Sequence, residues 1–150
     1  MKVYVGADHR GFHLKQDVVD YLKVRHIDVV DQGDDKLDPE DDFTVFASRV
    51  VNGMKGSEDS DARGILICGS GQGMIMAANR YKGIRAGLGW SVDAAKSIRN
   101  DENSNVLALP AELFERNSSS WQEVVDAWFN TPFAKADRYV RRIRQLDEMF

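Results

Sequence analysis

The chain has 150 residues, 43% of them hydrophobic and 29% charged; this balance is typical of one folded domain and excludes a disordered chain. Its 20 Lys and Arg against 24 Asp and Glu give a net charge of −4, which argues against nucleic acid or an anionic membrane as the main partner. No apolar run approaches the ~20 residues of a membrane span, and a single cysteine cannot form an internal disulfide, so we expect a cytoplasmic protein.

Short apolar runs alternate with amphipathic helical patterns along the first half of the chain. The predicted strands are residues 3–5, 27–30 and 64–68, and the last of these is the most apolar. Apolar residues at helical spacing predict helices over residues 12–25 and 43–54. Another helix, over residues 72–79, is predicted after a glycine-rich bend. Residues 31–42 are acidic and contain glycine and proline, so they are predicted to form a loop.

The second half of the chain continues this alternation. Strands are predicted at residues 84–88 and 105–109, the second of them stopped by Pro110. Ser91 and Ser120 are predicted to cap helices that reach residues 100 and 129, and a basic helix over residues 136–148 closes the chain. Strands separated by helices indicate parallel pairing with right-handed crossovers. We therefore predict a single domain over residues 1–150, a doubly wound, Rossmann-like α/β three-layer sandwich with a five-stranded parallel sheet.

Ligands bind to such sheets at the carboxyl ends of the strands, so the loops at these ends are the candidates for a functional site. The first strand leads into residues 6–11 (Gly-Ala-Asp-His-Arg-Gly), which bring a carboxylate, an imidazole and a guanidinium together before a helix. This set of groups suits a polar ligand. The alternative is that Asp8 caps the helix and His9 is a solvated loop residue.

The third strand leads into residues 68–74 (Cys-Gly-Ser-Gly-Gln-Gly-Met). Glycines at alternate positions let backbone N–H groups turn toward a bound oxygen. This is not the dinucleotide fingerprint, which would require glycine at the position of Met74. Cys68 lies where the positive end of a helix would favour a thiolate, although a lone cytosolic cysteine is more often a buried structural residue.

Two arginines on the last predicted helix form a third candidate site. Arg138 and Arg142 are four residues apart and therefore share one helix face. A pair of guanidinium groups suits a phosphate, which accepts forked hydrogen bonds. The alternative is that these arginines, together with Arg141 and Arg144, only complement the helix dipole.

Taken together, these motifs resemble the ribose-5-phosphate isomerase B family, which also includes the subunits of galactose-6-phosphate isomerase. Residues 6–11 resemble the family's G-x-D-H-x-G opening, and residues 68–74 resemble its C-G-T-G-x-G segment with serine for threonine. Residues 79–86 and 105–108 continue the likeness, which covers nearly the whole chain. The resemblance implies a homodimer or tetramer with an active site shared between subunits. It also implies aldose–ketose isomerisation of a sugar phosphate through an enediolate, with no metal or organic cofactor.

The resemblance also implies roles for individual residues. Cys68 corresponds to the base that moves a proton between C1 and C2. The groups that would hold the developing negative charge are Ser70 and the backbone N–H groups of Gly69, Gly71, Gln72 and Gly73. The groups that would bind the sugar phosphate are Asp8, His9, Arg138 and Arg142, the last two as a clamp on its phosphate.

Several positions depart from the family's pattern. Where the family has the sequence His-Asn-Asp, whose histidine opens the sugar ring, this chain has Asp101, Glu102 and Asn103. By position, Asp101 is the candidate for ring opening and Glu102 for a substrate contact. Glu112 replaces an arginine on the phosphate side, and Tyr139 replaces a histidine beside the first clamp arginine. The more acidic site implies a different substrate, another route to ring opening, or divergence away from catalysis.

Two further functions compete with a ribose 5-phosphate type isomerase. One is a non-catalytic sugar-phosphate-binding subunit; Cys68 and the complete glycine segment favour the enzyme over it. The other is an isomerase of a different sugar, one that lacks the phosphate or one whose amino or extra hydroxyl group would suit Asp101, Glu102 or Glu112. A redox sensor or a nucleotide-binding module has little support, because the chain has one cysteine and lacks a dinucleotide fingerprint.

Overall fold

Five parallel strands form one sheet in the order β2-β1-β3-β5-β4. A computed structural model describes residues 1–116 and 120–149. The strands are β1 (Lys2–Ala7), β2 (Asp28–Asp31), β3 (Arg63–Cys68), β4 (Ala86–Leu88) and β5 (Val106–Pro110). The helices are α1 (Phe12–Val24), α2 (Phe43–Lys55), α3 (Gln72–Ala78), α4 (Val92–Glu102), α5 (Ala111–Arg116), α6 (Trp121–Asn130) and α7 (Asp137–Asp147).

Alternating side chains on the central strands fill two cores, one on each face of the sheet. Ile65 and Ile67 of β3 belong to a core that includes Leu22 of α1 and Trp128 of α6. Leu66 and Cys68 point to the opposite face, where α2 and α3 supply Val50 and Met74. Because β3 is buried on both faces, its sequence is an almost continuous apolar run. The prediction of a doubly wound three-layer sandwich is confirmed.

Element bounds agree with the predictions to within a few residues, with two informative differences. Strand β4 begins at Ala86, two residues later than predicted, because the backbone N–H of Arg85 donates to the side chain of Asn105 at 2.8 Å. The sequence also gave no indication of α5, since a six-residue helix is too short to display an amphipathic repeat. The predicted caps are present: the hydroxyls of Ser91 and Ser120 accept from the backbone N–H groups of Ala94 and Glu123.

The chain folds to one side of β1 to form β2 and to the other side to form β3, so a crevice opens between the carboxyl ends of β1 and β3. We call the side of the molecule at the carboxyl ends of the strands the carboxyl edge and the opposite side the amino edge. Within residues 1–116 and 120–149, no helix has the length and apolar character that crossing a membrane would need.

Candidate active site

The segment after β3, residues 69–73, is called the glycine loop below. Cys68 ends β3 with 6% of its surface exposed, and the backbone N–H of Gly71 points at its sulfur at 3.1 Å. Gly71 has a φ of +75°, a conformation that a residue with a Cβ rarely adopts. This turn therefore depends on glycine, and it gives the sulfur a backbone donor of the kind that a thiolate accepts from.

The loop after β1 lies directly beside this thiol. The backbone N–H of Asp8 donates to the carbonyl of Ile67 at 3.2 Å, one residue before Cys68. The Asp8 carboxylate accepts from the N–H groups of Arg10 at 2.9 Å and Gly11 at 3.2 Å, which fixes the loop's turn. Burial raises the pKa of Asp8, and these two backbone donors oppose the rise. Asp8 is thus a buried carboxylate next to the predicted base, and it does not cap α1, whose N-cap is Gly11.

His9 is held by an aspartate that sequence reasoning missed. Its Nδ1 lies 2.7 Å from Asp41 Oδ1, and its backbone N–H donates to the same oxygen at 3.0 Å. The hydrogen bond to Asp41 raises the pKa of His9, so the imidazole is more readily protonated. Asp41 belongs to the acidic stretch predicted as a loop, and only the fold brings it to a residue 32 positions earlier.

We expect the substitution Asp41→Asn to lower the pKa of His9 toward its ordinary value of about 6.5. Because the pKa is raised in the folded chain, this pairing stabilises the fold fully below about pH 6.5, and the stabilisation is lost as pH rises through the raised value. The difference in unfolding free energy between the wild type and the variant should therefore shrink between about pH 5.5 and about pH 8.5. The part of this difference that comes from the hydrogen bond of the His9 backbone N–H to Asp41 should remain at both pH values.

Denaturant titrations at both pH values, with the His9 imidazole followed by NMR, would measure this change. Asp34→Asn is the matched control, because Asp34 lies in the same acidic stretch but pairs with Arg49 at 2.8 Å. The change in unfolding free energy that Asp34→Asn causes should therefore be the same at both pH values. The pairing of His9 with Asp41 would be contradicted if Asp41→Asn changed the unfolding free energy equally at both pH values and left the His9 titration unchanged.

An ion pair lies over the start of the glycine loop. Glu112, in the first turn of α5, donates its backbone N–H to the carbonyl of Gly69 at 3.1 Å. Its carboxylate pairs with the guanidinium of Arg10. A Cβ on Gly69 would lie 2.8 Å from Glu112 Oε1 and 2.9 Å from Arg10 Cζ, so both groups lie directly against the loop's backbone. Among the residues that the structure describes here, the carboxyl edge thus carries Asp8, His9, Arg10, Cys68 and Glu112.

The other predicted site residues lie at the amino edge. Helix α4 begins after the carboxyl end of β4 and runs about 15 Å back across the sheet, so Asp101 and Glu102 in its last turn are on the far side from Cys68. The guanidinium of Arg85, directly before β4, donates to the carbonyl of Glu102 at 3.1 Å. Partial burial and the neighbouring Asp101 raise the pKa of Glu102.

Helix α7 brings the two clamp arginines to this same amino edge. The backbone N–H of Ala134, in the segment before α7, donates to the carbonyl of Asn100 at 3.1 Å. Arg138 is close enough to Asp101, and Arg142 to Glu102, for their charges to interact. Arg138 also donates to the hydroxyl of its neighbour Tyr139 at 3.1 Å. Every residue of α7 is at least partly exposed.

A single chain therefore divides the predicted site into two clusters. The thiol cluster at the carboxyl edge contains Asp8, His9, Cys68, Ser70 and the rest of the glycine loop. The arginine cluster at the amino edge contains Asp101, Glu102, Arg138 and Arg142. The length of the strands, about 15–20 Å, separates them, so no substrate of sugar size contacts both clusters of one chain.

The chain is similar to known proteins over nearly its whole length. The sequence model of a family described as Ribose/Galactose Isomerase matches residues 3–146. Ribose-5-phosphate isomerase B of Mycolicibacterium paratuberculosis is 34% identical over 148 residues, which is 99% of this chain and 91% of the relative. The chain belongs to the ribose/galactose isomerase family. It is accordingly an enzyme of the class that interconverts aldoses and ketoses.

Solved structures of other family members have the same fold. A ribose 5-phosphate isomerase from Thermotoga maritima superposes with a TM-score of 0.89 at 39% identity, covering 98% of this chain and 97% of the other. Ribose-5-phosphate isomerase B from Mycoplasma genitalium, solved with bound ribulose-5-phosphate, gives a TM-score of 0.89 at 33% identity, with coverage of 99% and 95%. These solved structures therefore share the fold of nearly the whole chain.

Proposed function

We propose that this enzyme interconverts a five-carbon aldose phosphate and its ketose, of the ribose 5-phosphate and ribulose 5-phosphate type, with Cys68 as the base. The observation that carries the proposal is the thiol at the end of β3, which accepts from a backbone N–H of the glycine loop. The names of relatives that match nearly the whole chain support the choice of a pentose phosphate. A non-catalytic binding subunit would have no need of this thiol and its donor.

In the open-chain aldose, the Cys68 thiolate takes the proton from C2, and the electron pair moves toward the carbonyl oxygen on C1 to give an enediolate. The backbone N–H of Gly71 donates to the sulfur, so the loop's other backbone N–H groups and the hydroxyl of Ser70 stabilise the negative oxygen. Such fixed donors need no reorientation as the charge develops. The thiol then returns the proton to C1. One proton passes from the hydroxyl on C2 to the oxygen on C1, which completes the ketose with no net gain or loss of protons.

We further propose that the site is completed by a second copy of the chain. The thiol cluster and the arginine cluster lie on opposite sides of one chain, and the exposed helix α7 leaves Arg138 and Arg142 free to reach another subunit. In a two-fold dimer each surface that contributes to an interface does so twice. Each site would then combine the thiol cluster of one subunit with the arginine cluster of the other, whether or not dimers pair into tetramers.

The direct test is a panel of pentose and hexose phosphates incubated in deuterium oxide. We expect aldose–ketose exchange with deuterium incorporated at the carbon next to the carbonyl, and the highest rate on a pentose phosphate. A purified, folded protein that exchanges deuterium into none of these sugars would contradict the proposal and favour the binding-subunit alternative.

Asp101 is expected to limit turnover of sugars that must first open a ring. Ring opening moves a proton from the anomeric hydroxyl to the ring oxygen, and an imidazole can serve in both directions near neutral pH. A carboxylate that is ionised at pH 7 accepts the first proton but donates poorly to the ring oxygen. Asp101→His should therefore raise kcat on ribose 5-phosphate about 10-fold or more, and Asp101→Asn should not.

The matched substrate control is a four-carbon aldose phosphate, which cannot close a five-membered ring and should gain nothing from Asp101→His. Steady-state rates of the three proteins on both sugars would measure the difference. A wild type already as fast on ribose 5-phosphate as Asp101→His would show that Asp101 imposes no ring-opening penalty.

A further inference from the structure

The ion pair between Arg10 and Glu112 joins the loop after β1 to the first turn of α5, across the glycine loop. The side chain of Arg10 is 56% exposed, whereas that of Glu112 is 29% exposed and its Oε1 atom is fully buried. The carboxylate is therefore the more covered partner, and the guanidinium is the more open one. The guanidinium of Arg10 lies against the backbone of Gly69 at the start of the glycine loop.

A guanidinium has five N–H donors in a rigid plane, and one carboxylate uses at most two of them in a forked pair. Arg10 therefore keeps donors for a further anion while Glu112 holds its plane in position. An arginine whose plane is already fixed loses less side-chain freedom when it binds a second acceptor.

A second cation lies beside Arg10 on the loop after β1. His9, the residue before Arg10, has its pKa raised by Asp41, so a second positive group lies on the same loop when it is protonated. The facing carboxylates are engaged: Asp8 by two backbone N–H groups, Asp41 by His9 and Glu112 by Arg10. A sugar phosphate bound over the glycine loop has one strongly anionic group, its phosphate.

We propose that Arg10 binds the substrate's phosphate, with Glu112 as the positioning residue that holds its guanidinium over Gly69. This inference rests on the proposed function. It explains why a carboxylate lies in a site that binds an anion: Glu112 holds Arg10 in position and does not itself contact the phosphate. It also means that the subunit that supplies Cys68 contributes its own arginine to the phosphate, in addition to Arg138 and Arg142 from the arginine cluster of the other subunit.

The first test is Arg10→Ala, with Arg49→Ala as the matched control. Arg49 is also an exposed arginine in an ion pair, with Asp34, but it lies on α2 away from the glycine loop. Arg10→Ala should raise KM for the sugar phosphate and weaken binding of inorganic phosphate about 10- to 100-fold, the scale of a lost charge-assisted hydrogen bond, with a smaller change in kcat. Arg49→Ala should leave all three values unchanged.

The second test moves the guanidinium to the other partner's position. The double variant Arg10→Ala with Glu112→Arg should bind inorganic phosphate more tightly than Arg10→Ala alone, because it restores a cation over Gly69 from α5. Arg10→Ala with Glu112→Gln is the comparison, because it removes the same carboxylate without adding a guanidinium. A purely structural ion pair predicts equal phosphate affinity for the two double variants. Circular dichroism and thermal unfolding of each variant establish that it is folded before binding is compared.

The results separate this inference from the proposed function. Calorimetric titration with inorganic phosphate needs no turnover, so it tests Arg10 even if no sugar in the panel is isomerised, an outcome that would contradict only the proposed function. Active wild-type enzyme with unchanged KM and phosphate affinity in Arg10→Ala would overturn the role of Arg10 and leave the isomerase intact. Phosphate binding in Arg10→Ala with Glu112→Arg no tighter than in Arg10→Ala with Glu112→Gln would also overturn it.

Discussion

Replacing Cys68 by alanine is expected to lower kcat by about 10²–10⁴-fold, the usual contribution of a general base. The Cys68 thiol lies at the end of the central strand β3, and its sulfur accepts a hydrogen bond from the backbone N–H of Gly71. Removing it leaves Ser70 and the backbone N–H groups to bind the sugar without a base to move the proton. KM should therefore change much less than kcat, because binding and proton transfer use different groups.

The fold should survive this substitution. Cys68 packs in the core beside α2 and α3, so replacing the sulfur by hydrogen leaves a small void that costs on the order of 1 kcal/mol. Deuterium exchange into the substrate measures proton transfer directly, and thermal unfolding provides the control for stability. Near-wild-type exchange in Cys68→Ala would mean that another residue is the base.

Removing both clamp arginines is expected to have the second largest effect. Each charge-assisted hydrogen bond to the phosphate is worth about 1.5–3 kcal/mol, so Arg138→Ala and Arg142→Ala together should lower kcat/KM by about 10²–10⁴-fold. Part of the loss should appear in kcat, since binding energy from a non-reacting group also orients the reacting carbons. Stability should change little, because α7 is exposed along its whole length.

The same helix offers a matched control for this pair. Arg141 and Arg144 are also exposed but lie together on another face of α7, and Arg144 pairs with Glu148 within the helix at 3.6 Å. Arg141→Ala with Arg144→Ala removes the same charge from the same helix without touching the proposed clamp. Equal losses of kcat/KM in the two double variants would show that general attraction by a basic helix, rather than a clamp, binds the phosphate.

The fold could be predicted from the sequence because its signals are local. Apolar runs such as residues 64–68, glycines and serine caps each mark an element within a few residues. The turn at Gly71 is local as well, so the glycine loop beside Cys68 was also within reach of the sequence. The helix α5 was missed, because its six residues leave no periodic pattern to read.

The site's polar pairs could not be predicted, since they join residues far apart in the chain. His9 and Asp41 are 32 positions apart, and Arg10 comes from the loop after β1 whereas Glu112 comes from α5 after β5. Acidic stretches such as residues 31–42 contain many carboxylates, and nothing local selects the one that meets the imidazole. The separation of the two clusters follows from topology, because in a parallel sheet a helix that leaves the carboxyl edge ends at the amino edge.

The measurement that tests a shared site most directly is a mixing experiment between two inactive variants. One variant carries Cys68→Ala, and the other carries Arg138→Ala with Arg142→Ala. The two are co-expressed or refolded together, and mass spectrometry confirms that mixed dimers form. In a mixed dimer one site contains both lesions and the other contains none. Random pairing at equal amounts should therefore restore about a quarter of the wild-type activity. Mixed dimers that stay as inactive as their parents would contradict a site built from the thiol cluster of one subunit and the arginine cluster of the other.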